Sequence, residues 1–203
     1  MHAAPWEVVM GPAGLWVAPV GTPFPLADAE PSGPWKKVGT NGNRNYTEDG
    51  VTVAIAKTTA TFTGLGSMAP IKAVNSVVGW QARVGVADLS PDLLALLMNG
   101  NTVTKTPASG GSVGFDVIDG LIDPQVAVFA CVVRGPSPKS PTGYGQFEVV
   151  KAFESSESSE LVYVKNGTPT VANLQFTAME DIAAGDGENR FYRFRAMTAP
   201  SET

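Results

Sequence analysis

The feature that most restricts the fold is the regular alternation of apolar and polar side chains, interrupted at short intervals by Gly and Pro. The clearest case lies in residues 74–87, where the alternating apolar residues are Val78, Trp80, Ala82, Val84 and Val86. A period of two places such side chains on one face of a half-buried β-strand. The chain also contains 22 Gly and 16 Pro, which is typical of many short strands joined by turns. We therefore expect an all-β protein.

Further apolar stretches predict the remaining strands, and one segment predicts a helix. The other predicted strands are residues 51–62, 126–133, 147–153, 161–165, 171–178 and 190–196. The helix is predicted after Ser90, a favourable N-cap, with Pro91 in the first helical position and Asn99-Gly100 as a left-handed stop. The pattern thus indicates many strands and one short helix.

A polar, turn-rich segment separates two predicted strands near residue 45. Asn41-Gly42 and Asp49-Gly50 tolerate positive φ, so the backbone can reverse at both ends of this segment. The side chains between these turns are mostly polar, so they have little apolar surface to bury and many groups that could bond to a partner. We therefore expect a long hairpin loop that contacts another molecule, and the alternative is a loop that is merely solvated.

Residues 1–34 are predicted to form an extended, Pro-rich N-terminal arm, followed by a single β domain over residues 35–203. The arm contains seven of the sixteen prolines, a density that disfavours helices and central strands. Large aromatic side chains are unfavourable when they are exposed to water, so we expect Trp6, Trp16 and Phe24 to pack the arm onto a protein surface. The docking surface is either its own domain or a neighbouring copy.

Charge and composition restrict the partners. The formal net charge of −5 argues against a protein that grips nucleic acid, because such binding depends on Lys and Arg at the phosphates. No stretch approaches the roughly 18 apolar residues of a membrane helix. The N-terminus lacks the basic start and apolar core of a signal peptide, so we expect assembly in the cytoplasm and no membrane partner.

Catalytic and metal-binding patterns are absent from the sequence. The only histidine is His2, so a Ser-His-Asp or Cys-His arrangement and a His/Cys zinc site are not expected. Asp116, Asp119 and Asp123 do not have the ligand spacing of a calcium loop. Cys131 lies in an apolar run and is expected to be a buried, inert thiol. We expect no catalytic residue, no metal and no cofactor, and therefore no enzyme.

Two segments resemble the major tail tube proteins of long-tailed bacteriophages. They are V-G-T-N-G-N-R-N-Y-T-E-D-G-V-T-V at residues 38–53 and L-S-P-D-L-L-A-L-L-M at residues 89–98. The resemblance implies a β-sandwich or β-barrel with one flanking helix. It also implies that six copies close into a ring and that stacked rings conduct DNA out of the capsid. The virion tail would be the location, with tape measure and terminator proteins as further partners.

A ring would also seal the open edges of the sheet, because neighbouring copies can join their strands edge to edge. The ring-to-ring contact is predicted to use the hairpin loop residues Asn43, Arg44, Asn45, Tyr46, Glu48 and Asp49, with the N-terminal arm contributing. Gln81 and Arg83 are candidates to face the lumen. The net charge predicts a wall of negative potential, along which DNA passes without specific binding. The alternative function is a monomeric β-sandwich that binds carbohydrate or protein through exposed tryptophans.

Overall fold

A computed structural model describes residues 11–39, 45–120, 124–140, 142–156, 160–163, 169–184 and 191–198 of this chain. The strands within these residues are β1 (Gly14–Pro19), β2 (Lys36–Lys37), β3 (Tyr46–Phe62), β4 (Lys72–Val86), β5 (Val103–Thr106), β6 (Phe115–Ile118), β7 (Val128–Pro136), β8 (Tyr144–Glu154), β9 (Ala172–Ala178) and β10 (Tyr192–Ala196). The one described helix is α1 (Pro91–Leu97). The predicted all-β class with one short helix is confirmed.

Antiparallel pairing joins most strands in the order β2-β1-β7-β8-β9-β4-β3, and β5 and β6 form a separate two-stranded sheet. β8 pairs with β10 near its start and with β9 near its end, so the main sheet divides at this strand. A single apolar core lies between the two parts. Leu15 of β1 and Cys131 of β7 contribute from one part, and Trp80 of β4 and Phe176 of β9 contribute from the other. The divided sheet therefore forms the two layers of a sandwich.

A second, smaller apolar cluster lies on the opposite face of β1 and β7. Its buried members are Trp16, Ala18, Trp35, Ala130 and Val132, with Phe24 packed against them. The rings of Phe24 and Trp35 lie 5.6 Å apart between centroids. The Trp35 indole N–H donates a hydrogen bond to the carbonyl of Pro23 at 3.1 Å. Residues 20–35 therefore cover this face of the sheet within the same subunit.

This packing locates two of the three aromatic residues of the predicted N-terminal arm. Trp16 lies in β1, a buried strand between β2 and β7, because apolar side chains on both faces of β1 find cover. Phe24 packs in cis on the same cluster. Trp6 lies outside the described residues.

The helix begins and ends where the sequence predicts. The Ser90 hydroxyl accepts a hydrogen bond from the backbone N–H of Leu93 at 3.4 Å, and Pro91 occupies the first turn. Asn99 and Gly100 have φ values of 60° and 67°, which end the helix in the left-handed region. Leu93 and Ala95 turn toward the sandwich and are buried.

Two predicted segments differ from the structure. β3 already begins at Tyr46, so the second half of the predicted loop belongs to a strand. Tyr46 pairs with Val86 and Val51 pairs with Val84, which leaves an irregular bulge between them. Gly50 has a φ of 60° within this bulge, so its left-handed backbone redirects the strand without reversing it. The described residues of the predicted strand at 161–165, which are residues 161–163, are not in a strand.

Candidate assembly interface

β3 and β4 extend far beyond the rest of the sheet as a projecting hairpin, which we define as residues 54–78. The pairing of β4 with β9 ends at Gln81, whereas the pairing of β3 with β4 continues to Phe62 and Lys72. None of the described side chains in the hairpin is buried. Among the described strands, the two strands of this segment pair only with each other. An isolated two-stranded hairpin is at best marginally stable in water.

The tip of the projecting hairpin is apolar and uncharged. Leu65 and Met68 have relative exposures of 111% and 106%, and the other exposed apolar side chains near the tip are Phe62, Ile71 and Val74. Residues 58–71 contain no charged side chain, and lysines flank them at positions 57 and 72. The turn itself is ordered by backbone hydrogen bonds from Ile71 to Phe62 and from Ser67 to Gly64, both at 2.9 Å. Such a patch is typical of a surface that binds another macromolecule.

The outer edge of β3 is a second unsatisfied feature. Among the described strands, β3 pairs only with β4, and it lies at the end of the strand order. The strand has 17 residues and no proline, and its charged side chains are Glu48, Asp49 and Lys57. Natural edge strands are usually short or interrupted, because an open edge can pair with another chain. The β3 edge has irregularities between Tyr46 and Val51 and between Thr58 and Thr59. The stretch from Val51 to Thr58 between them is regular and long enough to pair with a strand of a partner.

The base of β3, at the opposite end from the tip, contains the described part of the predicted stacking loop. Tyr46 points into the subunit, where its hydroxyl donates to the carbonyl of Val38 at 2.8 Å and accepts from the N–H of Leu15 at 3.4 Å. Burial raises the pKa of Tyr46 to about 12. Tyr46 thus links β3 to the body of the subunit, so its replacement would disturb the fold as well as any contact. Its part in ring stacking stays a prediction.

The other loop residues are placed differently from Tyr46. The backbone carbonyl of Asn45 accepts from the N–H of Ala87 at 2.8 Å, so Asn45 is tied to the start of the helix connection. Glu48 and Asp49 are exposed and available to a partner. Asn43 and Arg44 lie outside the described residues. The structure therefore brings only part of the predicted set to one surface.

Gln81 and Arg83 lie in a polar groove on the outer face of β3, β4 and β9, opposite the core. The groove has a volume of about 860 Å³, and its other polar side chains include Asp49, Thr52, Ser155, Asn173 and Gln175. The Arg83 guanidinium donates to the amide oxygen of Gln81 at 3.4 Å. Among the described residues that line it, the charged groups are one carboxylate, Asp49, and one guanidinium, Arg83. These two charges balance, and the negative lumen stays a prediction.

The described residues contain no group of three or more His, Cys, Asp or Glu side chains that could hold a metal. In the same ranges, no helix is long and apolar enough to cross a membrane. Cys131 is buried, and burial raises the pKa of its thiol far above the ordinary value. A raised pKa keeps the sulfur protonated, and a protonated thiol is a poor nucleophile.

The projecting hairpin is the feature that sequence reasoning missed. Val78 was predicted on the buried face of its strand, but it is 46% exposed because β9 ends before reaching it. Two signals could have revealed the hairpin. They are the uncharged stretch at residues 58–71 and the presence of Leu65 and Met68 within a turn.

No protein-family model and no curated protein matches the chain. Among solved structures, a chain from "Cryo-EM structure of the anti-feeding prophage (AFP) baseplate, 6-fold symmetrised" is similar, with a TM-score of 0.44 and 8% sequence identity. The match covers 96% of this chain and 98% of that chain. Similarity at this level carries no conclusion about function.

Proposed function

We propose that this protein is a structural subunit that assembles with copies of itself into stacked rings, forming a tube of the phage-tail type. The observation that carries the proposal is the projecting hairpin with its exposed apolar tip. A two-stranded hairpin without a second layer is only marginally stable in water. The length and the exposed apolar tip of the projecting hairpin are best explained by a partner that covers it. The proposal assigns no catalytic step, metal or cofactor to the subunit.

Ring formation is supported by the open edge of β3. Six copies that join their main sheets side by side would cover the edge of β3 in every copy, because a closed ring has no free end. The number six comes from the resemblance of residues 38–53 and 89–98 to tail tube proteins, and is part of the proposal. Backbone hydrogen bonds between neighbouring edges would supply much of the lateral adhesion.

Stacking of rings is supported by the length of β3. Its 17 residues place Tyr46 and Phe62 at opposite ends of the strand, separated by roughly 50 Å at about 3.3 Å per residue. The apolar tip and the base with Glu48 and Asp49 are therefore different surfaces that face opposite directions. Contact between two different surfaces of identical subunits propagates into a filament.

The polar groove with Gln81 and Arg83 is the proposed wall of the bore. A face with balanced charge and many amide and hydroxyl groups offers no cluster of Lys or Arg to hold phosphates. DNA could then pass without specific binding. A monomeric module that stacks ligands on tryptophans is less well supported, because Trp16, Trp35 and Trp80 are all buried.

The test replaces the two most exposed apolar residues of the tip, Leu65→Ser together with Met68→Ser. Both side chains lie in solvent in the single subunit, so we expect circular dichroism and unfolding midpoints to stay unchanged. The matched control is Val113→Ser, at an exposed apolar position outside the hairpin. Sedimentation velocity and electron microscopy then report the size of the assemblies.

We expect wild type and Val113→Ser to form stacked rings, and the tip variant to stop at rings or single subunits. Tubes of equal length and yield from the tip variant would remove the hairpin from the proposal. Wild-type protein that stays single at high concentration would overturn the proposed function itself.

A further inference from the structure

A second groove, distinct from the projecting hairpin and the polar groove, lies between α1, β1 and β5. It has a volume of about 850 Å³, and its apolar floor includes Val17, Leu93 and Phe129. Among the described residues that line it, the charged ones are Lys36, Lys37, Lys105 and Asp92. Lys36 pairs with Val17 and therefore lies on the same face of the sheet as the floor. The ammonium groups of Lys36 and Lys105 against the single carboxylate of Asp92 give this lysine-rimmed groove a net positive charge.

The lysines of the rim are only weakly engaged within the subunit. Lys105 lies 4.0 Å from Asp92, and both side chains are more than 60% exposed, so this pair contributes little. The Lys37 ammonium lies 5.0 Å from the ring centroid of Trp16, on the opposite face of β1 from the apolar floor, so Lys36 and Lys105 supply the positive charge of the rim. Lys36 and Lys37 are both exposed on the short edge strand β2. The rim can therefore meet carboxylates of a partner without first breaking a strong ion pair.

A loop of the complementary chemistry follows β9. In this acidic loop, defined as residues 179–182, Glu180 and Asp181 lie between the exposed apolar residues Met179 and Ile182, and Ile182 is 85% exposed. The loop has a defined shape. The N–H of Ala183 donates to the Asp181 carboxylate at 3.2 Å, and the N–H of Met179 donates to the carbonyl of Lys151 at 2.8 Å.

Strand pairing fixes where the groove and the acidic loop lie. One row of paired residues crosses the sheet from Pro19 to Phe129, Ala152 and Ala178. The groove lies at the Pro19 end of this row and the acidic loop follows Ala178. The row contains three strand spacings, or about 14 Å. The two surfaces therefore lie at the same level but on different strands. Ile182 is not among the described residues that line the groove of its own subunit.

We propose that the acidic loop of one copy binds the lysine-rimmed groove of the neighbouring copy in the same ring. Met179 and Ile182 would pack on the apolar floor, while Glu180 and Asp181 would face the lysines. Two different surfaces at one level suit copies arranged side by side, head to tail around a ring. The inference rests on the proposed function and identifies a lateral contact within it.

Charge reversal tests the contact. The loop variant carries Glu180→Lys and Asp181→Lys, and the groove variant carries Lys36→Glu and Lys105→Glu. The control carries Glu30→Lys and Glu160→Lys, which change the net charge as the loop variant does but lie at exposed positions that do not line the groove. Circular dichroism first establishes that each variant is folded. Sedimentation velocity at low ionic strength then measures the concentration at which half of the protein is in rings.

We expect the loop and groove variants, each alone, to need at least about tenfold more protein for ring formation, because close charge pairs at interfaces have large coupling energies. An equimolar mixture should recover rings, since each reversed loop meets an oppositely charged groove in alternating copies. The control should assemble like wild type, and added salt should weaken the wild-type contact.

Two outcomes would overturn the inference while leaving the proposed function intact. They are unimpaired ring formation by the loop variant and a mixture that assembles no better than its components. Wild-type protein that forms no rings at any concentration would instead contradict the proposed function.

Discussion

Replacing Glu148 with Gln is expected to destabilise the subunit by about 3 kcal/mol, because this carboxylate is the buried centre of a charged network. Glu148 has 0% exposure and accepts a hydrogen bond from the amide of Gln146 at 2.5 Å. The Nε of Arg195 lies 3.1 Å from one carboxylate oxygen, and Arg193 binds the other. The neutral amide would leave both arginines without a counter-charge and would place an N–H₂ donor against their N–H groups.

The network continues to the segment that covers the outer face of the sheet. Gln146 accepts from the Arg134 guanidinium at 2.6 Å, and Arg134 also donates to the carbonyls of Leu26 and Ala29. Breaking a buried ion pair typically costs about 3–5 kcal/mol. Here the low end applies, because the side chains of Arg193 and Arg195 are 46% and 35% exposed and can regain water. For a chain of this size, about 3 kcal/mol corresponds to a fall in Tm of roughly 6–12 °C.

Urea unfolding followed by tryptophan fluorescence measures the loss. The experiment is best made in the Leu65→Ser/Met68→Ser background at a protein concentration at which sedimentation velocity shows single subunits, so that assembly does not contribute to the free energy of unfolding. Glu160→Gln, at an exposed position, is the control and should change stability by less than about 0.5 kcal/mol. A double-mutant cycle with Arg193→Gln should give a clear coupling energy. An unfolding free energy of Glu148→Gln equal to that of the control would refute the reasoning.

Two further predictions concern buried titratable groups. The pKa of Tyr46 is raised from 10.0 to about 12, so the folded state holds the hydroxyl proton more tightly than the unfolded state does. This difference stabilises the fold fully below pH 10, and the stabilisation is lost as the pH rises through 12. Tyr46→Phe should remove this part of the alkaline decline in unfolding free energy, and identical declines would contradict the assignment. Cys131 should react with a thiol reagent only when the subunit unfolds, and rapid labelling of the native protein would disprove its burial.

Local signals explain what could be predicted from the sequence. The start of the helix is marked by Ser90 and Pro91, and its end by Asn99-Gly100, through the backbone and side-chain geometry of these residues themselves. Both ends of the helix could therefore be predicted. The alternation from Trp80 to Val86 reports burial directly, because β9 and the core cover that part of β4. In both cases the decisive contacts depend on a short stretch of chain.

Features that depend on distant strands were not predictable in this way. The same alternation continues to Val78, but whether that side chain is buried depends on where β9 ends. Glu148 is a charged residue on a strand, and it is buried only because distant residues surround it. Tyr46 resembles a loop residue in sequence, yet its hydroxyl binds backbone groups of Leu15 and Val38. The alternation of apolar and polar residues within one stretch gives no information about these long-range contacts.

The most direct test of self-assembly is electron microscopy of the purified wild-type chain over a range of protein concentrations, paired with sedimentation velocity. The account predicts six-subunit rings that stack into tubes as the concentration rises. A single-copy particle at every concentration, with the tip of the hairpin still exposed to solvent, would contradict it.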